Sequence, residues 1–385
     1  MCEEWVKKGY KVTVLTGIPN YPEGDFYESY NWFKKRKENY RGIEIIRIPI
    51  IPRKSSSLFL ILNYISFVIS GFFWQLFTSV DPDLVFIFEV SPMTQALPGV
   101  WFSKRKKIPC HIYVQDLWPE NVEIMTGLKN KNAIKVIGKM VDYIYHHCTN
   151  IFTTSQSFVK AIIQRGVNEE KVLYWPQYAE DFYFPLEKMN SGNKNSEAES
   201  SLNIIFTGNI GEAQGLDILI EAAEILKEKH GIEDINYTIV GNGRYKSILQ
   251  KKVIENELNH LFLFIEKQSP ESIPAILAQS DIAFLSLNNN PLFSKTIPAK
   301  LQSYMACGKP ILASADGETK TIVKNANCGF VSRSGNASEL VKSILKFYYM
   351  SENELEQYGT RSRDYYIENF NKQKLLEQMD FYFTL

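Results

Sequence analysis

Residues 294–313 read SKTIPAKLQSYMACGKPILA, and the fold follows from how that stretch is parsed. Thr296 is placed to cap a helix, Pro298 suits its first turn, and Gly308 with Pro310 ends it, so a short helix stands between a loop and the apolar strand PILA. A helix N-terminus offers free backbone N–H groups and about half a positive charge. Lys300, in the first turn, adds a mobile cation, and together these suit a diphosphate. Ala306 and Gly308 allow close packing of the helix. Taken locally, the same residues also fit an ordinary sheet-flanking helix with a chance lysine.

Outward from this stretch the strand and helix signals alternate, the pattern of an α/β protein with parallel sheets. Upstream, the strand LNIIFT leads into Gly208, Asn209, Ile210, Gly211, Glu212, Ala213, Gln214 and Gly215, which open a helix at Leu216. Glycines between a strand and a helix let backbone amides approach phosphate. The spacing differs from a dinucleotide G-x-G-x-x-G, and nothing indicates NAD. A second glycine turn, Gly241, Asn242, Gly243 and Arg244, follows the strand at 237–240. Downstream, Glu318 enters a helix that opens with Asp316 and Gly317, where an acid suits the helix N-terminus.

The chain has 385 residues and 44.4 kDa, too long for one ordinary core, so two domains are expected. Lysine plus arginine and aspartate plus glutamate both number 43, and zero net charge excludes whole-chain steering onto nucleic acid. The five cysteines form no C-x-x-C pair, so neither a zinc site nor a disulfide framework is expected, and a reducing cytoplasm fits. No charged-then-apolar-then-small leader opens the chain. Instead it opens on the end of an amphipathic helix containing Trp5, a glycine stop at Gly9 and a strand at 11–15. A doubly wound domain normally starts with a strand and a glycine turn, so that first strand is read as absent. Its absence is expected to leave neighbouring strands unpaired, to expose the apolar face of the Trp5 helix, and to impair turnover more than nucleotide binding.

Residues 58–77, LFLILNYISFVISGFFWQLF, are long and apolar enough to raise the question of a bilayer. Asn63, Ser66, Ser70, Gly71 and Gln75 interrupt the run, and it lies between strands at 43–48 and 84–88 that are expected to share one sheet. Spanning, burial against the sheet and partial insertion into the membrane interface are the three readings, with spanning the least compatible. Basic clusters at 34–37, 53–54 and 104–107 flank it and suit an anionic leaflet as well as plain solvation. After the strand HIYVQ come Asp116 and Glu120, at the strand end where α/β sheets bind ligands. Asp116 is expected to orient or deprotonate an acceptor hydroxyl and Glu120 to bind sugar hydroxyls, against the alternative of helix caps or loop hydrogen bonds. From 178 to 201 periodicity disappears and the chain turns polar, the composition of a linker.

The organising stretch resembles the nucleotide-sugar site of glycosyltransferase family 4, through Pro298, Lys300, Leu301, Ser303, Tyr304, Met305, Ala306, Gly308, Lys309 and Pro310. Two glutamates usual in that family stand here as Lys295 and Ser303. The QSYMA form, the GNIG-x-AQG loop and QDLWPE are most similar to the branch that transfers N-acetyl-L-fucosamine or related amino sugars in bacterial surface polysaccharide assembly. The resemblance implies a GT-B fold, two Rossmann-like domains facing across a cleft: an acceptor domain at 1–177, a linker at 178–201, a nucleotide-sugar domain at 202–365, and a final helix at 366–385 crossing back. It implies donor contacts from Gly208, Asn209, Gly211, Gln214, Gly215, Gly241, Gly243, Arg244, Lys300, Ser303 and Glu318, the last in part replacing the glutamate missing at Ser303. It further implies a UDP-sugar donor, a polyprenyl-diphosphate-linked saccharide acceptor, and retention of anomeric configuration. No cofactor or metal is implied, and no D-x-D constellation is counted. Peripheral attachment to the inner face of the cell membrane is expected with such an acceptor. The rivals are a sugar-nucleotide epimerase on the same fold and a nucleotide-sugar-binding protein without turnover.

Overall fold

The computed structural model describes residues 1–54, 56–127, 129–188 and 201–384. The chain divides into two compact units. One comprises Met1–Thr154, Val159–Tyr174 and the residues from Asp380 on; the other comprises Ser155–Phe158 and Trp175–Met379. Residues 189–200, the polar part of the expected linker, lie outside the described residues.

The first unit holds two sheets. Strands β1 (Thr13–Gly17), β2 (Lys37–Tyr40) and β3 (Ile43–Ile48) take the order β1-β3-β2, with β1 parallel and β2 antiparallel to β3. Strands β4 (Val85–Glu89), β5 (Cys110–Val114), β6 (Asn150–Thr153) and β7 (Val172–Tyr174) form a wholly parallel sheet in chain order. The strands around 43–48 and 84–88 therefore belong to separate sheets, contrary to the expectation from sequence. The Trp5 helix also corrects the sequence reading. Trp5 is buried, its ring 5.1 Å from Phe86 and 5.4 Å from Phe383, so aromatic packing covers the face expected to be exposed. Lys8 pairs with Asp380 on the same terminal helix, Lys372–Thr384, which begins in the second unit and ends in the first.

The second unit is built on one six-stranded parallel sheet. Strands β8 (Leu202–Thr207), β9 (Ile235–Val240), β10 (Phe262–Ile265), β11 (Ile282–Ser286), β12 (Ile311–Ser314) and β13 (Gly329–Ser332) are ordered β10-β9-β8-β11-β12-β13. Every residue of β11 and β12 is buried, as parallel strands covered on both faces require. Both units are α/β with right-sized runs of apolar strand, the doubly wound pattern the alternating signals indicate.

Candidate functional site

The strand order creates the site. From β8 the chain moves outward through β9 and β10, whereas β11 starts on the other side of β8 and moves outward through β12 and β13. Loops leaving β8 and β11 at their carboxyl ends thus diverge, and such a reversal leaves a crevice for ligands.

The β8 loop, running from Gly208 to Gly215, is held from both sides. Gly208 N–H donates to the Val240 carbonyl and Ile210 N–H to the Asn242 carbonyl, each at 2.9 Å. Gly241 has φ +148° and Gly208 φ +132°, and a Cβ on Gly241 would collide with the Gly208 carbonyl. Only glycine lets the two turns touch. Within the loop, Gly211 N–H donates to Gln214 Oε1 at 3.0 Å. From the β11 side, Asn288 N–H donates to the Ala213 carbonyl at 2.9 Å, Asn288 Nδ2 to the Glu212 carbonyl at 2.5 Å, and Ser286 Oγ to the Gln214 carbonyl. These bonds bridge the two sides of the crevice.

The helix from the organising stretch is Ala299–Ala306, with Pro298 at its N-cap and no side-chain cap. Thr296 does not cap it. Its hydroxyl donates instead to the Leu292 carbonyl at 3.2 Å, which leaves the first amides of the helix without a side-chain acceptor. Lys300 reaches back over β8, its Nζ 3.7 Å from the centroid of the Phe206 ring and 3.4 Å from where a Gly208 side chain would begin. Although Lys300 as a residue is half-buried, its Nζ is sealed from solvent and has no hydrogen-bond partner. Burial without a counter-charge pulls its pKa down to about 7. Of the other two lysines of the stretch, Lys309 is spent structurally: its Nζ donates to the Ser280 carbonyl at 2.6 Å. An ammonium left unpaired above an aromatic face, beside glycine backbone and an uncapped helix start, is arranged for an anion.

The remaining candidates are placed less uniformly. Ser303 Oγ lies 3.3 Å from the Ala299 carbonyl, one turn back on its own helix. Glu318, in the first turn of the helix Gly317–Asn325, accepts from Ser157 N–H at 2.6 Å. Asn209 and Arg244 are exposed, and Gly243 packs against the Ile210 backbone. Asp116 and Glu120 belong to the first unit, beyond the carboxyl end of β5. There, Asp116 Oδ2 accepts from Ser91 N–H at 2.9 Å and from Ser91 Oγ at 2.7 Å, while Trp118 Nε1 and Asn121 Nδ2 both donate to Ser91 Oγ. Glu120 opens the helix Glu120–Thr126, and its Oε2 is buried without a partner.

Sequence reasoning missed Glu89. It is the last residue of β4 and fully buried, its carboxyl facing the backbone N–H groups of Gln115 and Asp116. Desolvation first, and then the Asp116 carboxylate, push its pKa well above the usual carboxylate range. A lone acid at the end of the apolar run VFIFE was the available signal. Asn288, in the NNN run after β11, was missed as well. A D-x-D triplet does exist, at Asp81 and Asp83, but it precedes β4 at the opposite end of the sheet, is exposed, and Asp81 pairs with Lys106 at 2.7 Å.

The two halves match two described families: residues 1–177 the glycosyl transferase 4-like domain, and residues 188–365 the glycosyl transferases group 1. A glycosyl transferase 4-like domain is thus followed by a group 1 glycosyltransferase domain, and the chain is a glycosyltransferase. This glycosyltransferase is 27% identical over 336 residues to WcaI of Escherichia coli K12, named for colanic acid biosynthesis, an alignment covering 82% of the chain and 78% of WcaI. Among solved structures it resembles sucrose-phosphate synthase of Thermosynechococcus elongatus, with a TM-score of 0.73, 15% identity, and coverage of 99% and 90% of the two chains. Anabaena HepE in complex with UDP and glucose is also similar, with a TM-score of 0.65, 14% identity, and coverage of 89% and 87%. At such identities the likeness establishes the fold, a GT-B architecture with parallel sheets.

Proposed function

We propose that this glycosyltransferase moves a sugar from a UDP-sugar to a lipid-linked saccharide in bacterial surface polysaccharide assembly, and that the sugar is an N-acetylated amino sugar such as N-acetyl-L-fucosamine. The observation that carries the donor half is the unpaired, buried Lys300 Nζ above the touching glycine turns. In the transfer, the bond from C1 of the sugar to the diphosphate breaks, a bond from C1 to an acceptor oxygen forms, and UDP departs carrying negative charge. Lys300 and the open helix start meet that charge as it develops, the preorganised stabilisation that speeds group transfer. The acceptor proton passes to a carboxylate or to the departing phosphate. Asp116 is the residue we assign to the acceptor hydroxyl, with Ser91 fixing one carboxylate oxygen and leaving the other free, and Glu120 to sugar hydroxyls. Transfer proceeds with retention and without a metal, as the resemblance of the organising stretch implies. The naming of WcaI for colanic acid biosynthesis and the UDP and glucose bound by HepE support the donor and pathway class.

The experiment is incubation with a panel of UDP-sugars, with and without polyprenyl-diphosphate-linked saccharide. Sugar appearing on the lipid with stoichiometric UDP release is the expected result. Acceptor-free isomerisation of the donor would make the protein an epimerase, and binding without turnover would make it a nucleotide-sugar-binding protein.

A further inference from the structure

The helix Ser57–Phe77 in the first unit is inside out. Only 11% of its most apolar window is buried, although it is long enough and apolar enough to cross a bilayer. Leu58, Ile61, Ile65, Ile69, Phe72, Phe73 and Leu76 are exposed, Ile61, Ile65 and Ile69 at 50–53%. At 100° per residue these fall within an arc of roughly 120°. The polar residues that interrupt the run lie on the other side, fastened to protein. Asn63 Nδ2 donates to the Ile51 carbonyl at 2.6 Å and Ser70 Oγ to the Pro49 carbonyl at 2.5 Å. Ser66 Oγ accepts from Ile51 N–H at 2.9 Å, and the buried Gln75 accepts from Arg105 Nε at 3.1 Å. A helix in water buries its apolar side and shows its polar one; this helix does the reverse.

Cations stand at both ends of the apolar arc. At the start, Lys54 Nζ lies over the Phe59 ring at 4.9 Å and the Arg53 guanidinium over Tyr64 at 5.8 Å. At the end, the Arg105 bond to Gln75 brings up the run 104–107, of which Lys104, Arg105 and Lys107 are exposed. Of the two acids that follow the helix, Asp81 is already paired with Lys106 and Asp83 is exposed. An apolar stripe flanked by cations is complementary to acyl chains beneath anionic headgroups, and two such terms are what stable peripheral attachment needs.

We propose that this helix lies in the plane of an anionic lipid bilayer, with the arc from Leu58 to Leu76 immersed to the depth of the acyl boundary. It does not span, because Asn63, Ser66, Ser70 and Gln75 are committed to protein backbone and side chains along its whole length. The claim is independent of the transfer reaction, since it is read without donor or acceptor.

The test is sedimentation of the full chain with vesicles of phosphatidylcholine alone and with added phosphatidylglycerol. Binding is expected only to the anionic vesicles, weakened by salt and reversed by alkaline carbonate. The triple variant Ile61→Ser, Ile65→Ser, Ile69→Ser should bind at least about tenfold more weakly while remaining folded by circular dichroism, since about half of each side chain is already exposed. No binding to anionic vesicles at low salt would overturn the proposal, as would equal binding by the triple variant. Resistance to carbonate would show a spanning helix instead. A dimer that the triple variant dissolves, with vesicles ignored, would assign the face to a second copy.

Discussion

Lys300 and Glu89 are both ionisable and sealed from solvent, and each makes a measurable demand on pH. Lys300 has a folded pKa of about 7, below its unfolded value of 10.5. Below pH 7 both states are protonated and the burial penalty is felt in full; between pH 7 and 10.5 the folded state sheds its proton first, so stability is regained as pH rises. Lys300→Met is therefore expected to melt higher than the natural protein at pH 6.5, with the difference shrinking by pH 10, even though it loses transfer. Affinity for UDP should fall above pH 7 as Lys300 deprotonates, which titrations at several pH values would show. Glu89 runs the opposite way to most acids, its pKa raised by desolvation and by Asp116. Its neutral form is favoured in the fold, so the contribution is fully present below the unfolded carboxylate pKa and lost as pH rises toward the folded one. Glu89→Gln should match the natural protein at acid pH and melt higher at pH 8; identical melting profiles would mean that the carboxyl titrates normally.

At the scale of elements, the donor crevice depends on backbone contact between two turns. Gly241→Ala must push a Cβ into the Gly208 carbonyl at a backbone angle that side chains avoid. We expect a loss on the order of 2–4 kcal/mol in denaturant-induced unfolding, with weaker UDP binding. Sequence made this element legible because glycine has few other reasons to stand at strand ends, and Lys300 was legible because helix punctuation surrounds it. Thr296 misled because a threonine that bonds back to Leu292 reads like a cap when only the order of residues is known. The helix Ser57–Phe77 shows the limit more plainly. Composition alone allowed three dispositions, and the direction in which Asn63 and Ser70 point is not recorded in it. Glu89 escaped because an acid ending an apolar strand resembles a solvated edge until its burial is seen.

Across the whole molecule, function follows from topology more than from any single motif. The reversal between β8 and β11 brings together Gly208, Asn288 and Lys300, which are 80 residues or more apart in part, without any of them being adjacent in the chain. The alternation of strands and helices disclosed the α/β class, whereas the separation of β3 from β4 into different sheets did not show, since sequence spacing does not record which strands pair. The central claim is that the second unit holds a nucleoside diphosphate through Lys300. The most direct measurement is calorimetric titration of UDP and of uridine into the natural protein and into Lys300→Ala. The account predicts that the substitution weakens UDP by about 2 kcal/mol, roughly thirtyfold, and leaves uridine unchanged. Equal UDP affinity in the two proteins, or an equal loss for uridine, would contradict it.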